Sequence, residues 1–153
     1  MNSPLRISLK AGERIFLNGA FVRVNNKVIL ELLNDITFIL EHHVIKEEEA
    51  LTPFHQLYLI VQMIFLFPIK KDYLIDLCHR YIGVLFNVIQ SQQMILELKN
   101  IEFLVDSGRF FEALKNIRNL YLIENRELNS NAIFASIFQC MRQEIKSWKL
   151  IHK

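Results

Sequence analysis

Glycine, proline and cysteine are scarce in this chain: its 153 residues hold four, three and two of them. The glycines (Gly12, Gly19, Gly83 and Gly108) are scattered, so they build no phosphate-cradling loop of the kind that gathers glycine ahead of a helix. Few loop formers beside a hydrophobic fraction of 52% point to a packed body with short connections. Cys78 and Cys140 stand far apart with no CxxC pair, which excludes a disulfide framework and leaves two buried, reduced thiols as the expectation. Cys78 and His79 are helical neighbours about 100° apart, the wrong placement for a nucleophile and its base. The longest apolar run, 57–67, is broken by Gln62 and stopped by Pro68. A membrane helix needs about 20 apolar residues, so this run reads as a core helix. The chain also enters a charged strand pattern at once, with no signal-peptide layout, and a cytoplasmic location away from membranes is expected.

What is present is unevenly charged. Arg6, Lys10, Arg14, Arg23 and Lys27 face only Glu13 among the first thirty residues. Between 31 and 60 the sign reverses, with Glu31, Asp35, Glu41, Glu47, Glu48 and Glu49 against Lys46. The basic segment alternates. Leu5, Ile7 and Leu9 interleave with Arg6, Ser8 and Lys10, the period of a half-buried strand. Asn18-Gly19 fits a two-residue hairpin loop, because both residues accept positive φ. Asn25-Asn26 suggests a second tight turn, 27–33 the next strand, and 36–40 a fifth strand or a short helix. His42 and His43 then lie on a strand and point to opposite faces, so they do not chelate one metal. With no HExxH and no paired cysteines or carboxylates beside them, no metal, cofactor or enzymatic activity is expected.

Near residue 50 the period changes from two to 3.6. Thr52-Pro53 opens a helix reaching about 67; others are expected over 72–90, 92–105 and 109–124, with a weaker one over 132–147. Leu74, Leu77, Cys78, Tyr81, Ile82 and Leu85 form one apolar stripe, and Phe54, Phe65, Phe67, Phe103, Phe110 and Phe111 are read as core. The class is α+β: one domain, with a sheet of about five short strands in 1–45 and a body of four to five helices in 50–147.

A sheet with one apolar and one cationic face is suited to a phosphate backbone. Arg6, Lys10, Arg14, Arg23 and Lys27 are the candidate contacts, gathered on a common rim, and Phe16 and Phe21 are candidate base-stacking platforms. The competing reading makes the cations the solubilising face of an ordinary sheet and the two phenylalanines a cross-strand pair.

Four segments, SPLRISLKAGERIFLNGA, LELLNDITFILEHHVI, TPFHQLYLIVQ and GRFFEALKNIRNLY, stand in the order and spacing of the FlbT family of flagellum biosynthesis regulators. The resemblance covers about 3–124 and stops near 126. It implies a post-transcriptional regulator that associates with the 5′ untranslated leader of flagellin mRNA, represses translation and promotes mRNA degradation. It also implies work alongside a second regulator, FlaF. In outline the strand run LRISLKAGERIFLNG is similar to the carbon-storage-regulator family, an analogy of fold alone.

Other readings stay open. SGRFFEALKNI resembles the start of a tetratricopeptide-type helix, and a groove carrying Arg109, Phe111 and Arg118 would then take a partner helix from FlaF or flagellin. The chain would be an adaptor or chaperone-like binder without direct RNA contact. A helix-turn-helix using 109–124 is a third reading, opposed by the apolar stripes that this helix must bury. Exposed strand edges make a homodimer plausible.

Overall fold

A computed structural model describes residues 4–127 together with Gln143. The helix expected over 132–147 falls outside the described residues but for Gln143, as does Cys140. Five strands come first: β1 (Leu5–Leu9), β2 (Arg14–Leu17), β3 (Ala20–Arg23), β4 (Val28–Leu32) and β5 (Phe38–Leu40). Four helices follow within residues 4–127: α1 (Pro53–Leu66), α2 (Lys71–Val88), α3 (Gln92–Asp106) and α4 (Phe110–Glu127). The α+β class and the order of strands before helices are as the sequence implies.

The strands form two antiparallel sheets where the sequence suggested one: β1 with β4, and β3-β2-β5. Asn18 (φ 48°) and Gly19 (φ 85°) close the β2–β3 hairpin, with Leu17 opposite Ala20. Asn25-Asn26 closes no hairpin. The segment 24–27 instead carries the chain from β3 across to β4, whose partner is β1. The two sheets bury their facing sides together, with Ile7 and Leu9 of one against Ile15 of the other. Leu17, Phe38 and Leu40 extend this small core from one sheet, and Val28, Leu30 and Leu32 from the other. Replacing Gly19 by alanine puts a Cβ at φ 85°, and a loss of about 1 kcal/mol in urea denaturation is the expected result.

α1 is the hub of the larger core. Thr52 caps it, its hydroxyl accepting the His55 N–H at 3.3 Å, and Pro53 starts it with its φ already helical. All but two of its fourteen residues are buried, so it is apolar all round as a central helix must be. α2 lays Leu77, Tyr81 and Leu85 against it, and α4 adds Ala113, Leu114 and Ile117. α3 ends at Gly108 (φ 75°): the Arg109 N–H reaches the Leu104 carbonyl at 2.8 Å and the Gly108 N–H that of Val105 at 3.1 Å, which turns the chain into α4.

Several expectations are corrected. Glu41–His43 is a 3-10 turn and not a strand continuation, so the rings of His42 and His43 pack together at 4.2 Å. Phe103 and Phe111 are 60% and 43% exposed, outside the core in which helical spacing placed them. Phe54 and Phe65 are buried, while Phe67 and Phe110 pack at the core margin. The acidic stretch is a second 3-10 turn, Glu47–Glu49, with the Lys46 N–H held by the Glu49 carboxylate at 2.9 Å.

Candidate nucleic-acid interface

Three segments cross between the two sheets: two lie at one end of the strands, and the third, 33–37 from β4 to β5, lies at the other. The turn 10–13 joins the end of β1 to the start of β2, and 24–27 joins the end of β3 to the start of β4. Crossovers of this kind run over the surface, and four of the five amino-terminal cations sit on or next to them. Arg14 stands directly opposite Arg23 in the β2–β3 ladder. One step beyond the Leu9–Val28 pair, Lys10 and Lys27 face each other in the same way, both exposed. Four of the five cations therefore lie at one end of the β unit, shared between the ends of both sheets, and not along one sheet face.

Arg6 does not join them. It sits opposite Glu31, with its guanidinium 3.9 Å from that carboxylate, on the outer face of the β1–β4 sheet. Arg14 and Arg23 lie on the face of the other sheet that packs Phe16 and Ile39 against the helical core, so the two layers separate Arg6 from them. The expected common rim thus loses Arg6, because four residues along a strand span roughly 13 Å. Parity within one strand says nothing of a second sheet.

The remaining cations differ in availability. Glu41, one register step beyond the Ile15–Leu40 pair, lies beside Arg14. It takes the Arg14 Nε–H at 2.7 Å and the backbone N–H at 3.1 Å, with a further close contact to Nη2. This pairing raises the guanidinium's pKa and lowers that of the Glu41 carboxyl. Lys10, Arg23 and Lys27 make no ion pair among the described residues. Phe16 and Phe21 are opposite one another and stacked, centroids 4.2 Å apart at 15°, and the Arg14 guanidinium lies 4.9 Å from the Phe21 centroid. Phe16 packs on the helical core, whereas Phe21 is 51% exposed. Of the two, Phe21 with its half-exposed ring is therefore the stacking candidate, and Phe16 is not.

The helical candidates also separate. Arg109 forms a two-pronged pair with Glu112, at 2.8 and 2.5 Å, and shares with Phe111 the lining of a cleft of about 210 Å³. Ile36, Thr37, Phe38, Phe65 and Phe110 complete its wall. Arg118 is turned inward instead, donating to the Tyr58 hydroxyl at 3.0 Å with its guanidinium over the ring.

Next to it, burial, with Arg118 and His42 nearby, lowers the pKa of His43 to about 4. A histidine kept neutral in the fold destabilises it as pH falls from 6.5 towards 4, because the unfolded chain takes up a proton that the folded one refuses. The full shift would correspond to about 3 kcal/mol, but the ring is partly exposed and water screens it. A loss of about 1 kcal/mol over that interval, abolished in His43→Gln, is expected from urea melts at stepped pH. The buried Cys78 thiol is pushed up to about 12 and stays protonated throughout.

The model of the flagellar protein FlbT family matches residues 5–128. A "probable flagellum biosynthesis repressor protein FlbT" of Rhizobium johnstonii is 49% identical over 149 residues, 97% of this chain and all of that protein. Proteins of the same name are 46% identical in Agrobacterium fabrum, over the same shares, and 41% in Mesorhizobium japonicum, over 86% of this chain and 89% of that one. No solved structure matches. The chain belongs to the FlbT family. In the first two relatives the likeness continues past residue 126, where the sequence resemblance had stopped. None of the helices among the described residues is long and apolar enough to cross a membrane.

Proposed function

We propose that this protein is a post-transcriptional regulator of flagellum synthesis that binds the 5′ leader of flagellin mRNA and lowers its translation or lifetime. What supports this reading is that Lys10, Arg14, Arg23 and Lys27 all lie on or next to two turns at one end of the β unit, the end where Phe21 is half exposed. Cations on two neighbouring turns fit two runs of phosphate, and an arginine beside an exposed aromatic fits a base splayed from an RNA loop. The names of the relatives, repressors of flagellum biosynthesis, agree with a regulatory and non-catalytic role. The protein would act in the cytoplasm, where its RNA is.

The test is a titration of the purified protein alone with a flagellin leader RNA at stepped salt. Each phosphate neutralised contributes roughly 0.7 to 0.9 to the slope of log affinity against log salt, so three to four contacts give about 2 to 3.5. A slope near zero, or no complex without a second protein, would remove direct contact. The adaptor reading then takes its place, supported by the exposed Phe111 beside the cleft formed with Ile36 and Phe38. FlaF or a flagellin segment would be the partner, and its binding would be lost in Phe111→Glu; since Phe111 is not core, that variant should still fold.

A further inference from the structure

We propose that two copies of this chain join through the open edge of β3, antiparallel about a two-fold axis at Val22. Along β3, backbone groups point alternately to β2 and away from it. Ala20 closes the hairpin against Leu17, and Val24 bonds back across it, its N–H to Glu13 at 3.1 Å and its carbonyl to Gly12 at 2.8 Å. Ala20, Val22 and Val24 thus use their groups on β2. Phe21 and Arg23 aim their N–H and C=O groups outward, at the end of the sheet order β3-β2-β5. All four β3 residues are exposed, and among the described residues no further strand, proline or inward charge guards the edge.

Register selects the arrangement. With the axis at Val22, Phe21 pairs with the partner's Arg23 and Arg23 with the partner's Phe21, giving four backbone hydrogen bonds. Each guanidinium then meets a phenyl ring that is half exposed in the single chain, and Val22 meets the partner's Val22 on the other face. An axis at Phe21 would set Arg23 against the partner's Gly19, where the chain is already turning, and leave only two bonds. An axis at Arg23 would oppose two like charges. Of the three registers, only the first makes four backbone bonds without setting Arg23 directly opposite a like charge. A second copy is the occupant this edge fits, since its own Arg23 supplies the charge that its own Phe21 accepts. The result is a continuous six-stranded sheet, with Arg14 and Arg23 of both copies on one face. The contact is short, so the dimer is weak and forms at tens of micromolar.

The experiment uses the full chain without RNA, so that its outcome is separate from the mRNA reading. In a Cys140→Ser background, Val22→Cys places two thiols across a non-hydrogen-bonded pair, where Cα atoms lie about 4.5 Å apart, within disulfide range. Mild oxidation at about 50 µM should give a covalent dimer at least ten times faster than for Ile29→Cys, which is more open to solvent but on the other sheet. In sedimentation, Val22→Lys should be monomeric at concentrations where the wild type is partly dimeric, with an unchanged melting temperature. Equal cross-linking at positions 22 and 29, or a wild type monomeric up to about 200 µM, would overturn the proposal. So would a Val22→Lys protein that still dimerises.

Discussion

Glutamate at both 23 and 27 is expected to weaken binding of the flagellin leader by at least 100-fold at moderate salt, and to lower the salt slope by about 1.4 to 1.8. Arg23 and Lys27 bracket the crossover from β3 to β4 and pair with no carboxylate among the described residues. Each replacement removes one phosphate contact and puts a repelling charge in its place. Both side chains are exposed, so stability should stay within about 0.5 kcal/mol. Two comparisons give the result its meaning. Arg6→Glu should bind nearly as the wild type does, since Arg6 lies on the far sheet beside Glu31. Glu41→Gln should bind a few-fold more tightly, because it releases the Arg14 guanidinium that Glu41 now occupies. Filter binding across a salt series measures all three. An Arg6→Glu protein as defective as the double variant would show that charge alone, and not this end of the β unit, holds the RNA.

How much of this was readable in the sequence depends on the range of the interaction. Signals confined to a few residues were legible: Asn18-Gly19 as a hairpin loop and Thr52-Pro53 as a helix start. The helices ended within two or three residues of their expected bounds for the same reason. Partner choice between strands was not legible. That β1 bonds to β4 while β2 bonds to β3 and β5 is decided by three crossovers and a shared apolar filling, not by any strand's own pattern. Arg6 was misplaced as a consequence, and the Arg14–Glu41 pair, 27 residues apart, had no local trace. Phe111 shows a different limit. Its spacing fits a stripe on α4, yet the stripe is wider than the face α4 buries, and a phenylalanine at its border stays 43% exposed.

A third element lay between these extremes, and it carries the largest expected effect on stability. Gln62 only looked like an interruption in an apolar run. In the fold its amide meets both backbone groups of Ile45: the Oε1 accepts the N–H at 2.8 Å and the Nε2 donates to the carbonyl at 2.9 Å. Two other α1 side chains work alongside it. The Tyr58 hydroxyl donates to the His43 carbonyl at 2.5 Å, and the Gln56 amide donates to the Ala50 carbonyl. The central helix therefore holds the connection from β5 at three points, by polar atoms buried among apolar ones. Gln62→Leu keeps the volume but strands an N–H and a carbonyl in partly buried surroundings, and about 2 to 4 kcal/mol should be lost in urea denaturation. Gln62→Glu should lose at least as much at neutral pH, because it buries a charge and sets a carboxylate oxygen against the Ile45 carbonyl. The folded fraction of Gln62→Leu should still bind leader RNA within a few-fold of wild type, because Lys10, Arg14, Arg23 and Lys27 are set by the small core between the sheets and not by this staple. If Gln62→Leu proved as stable as the wild type, apolar contacts alone would fix the connection, and the polar atoms of α1 would have no part in positioning β5.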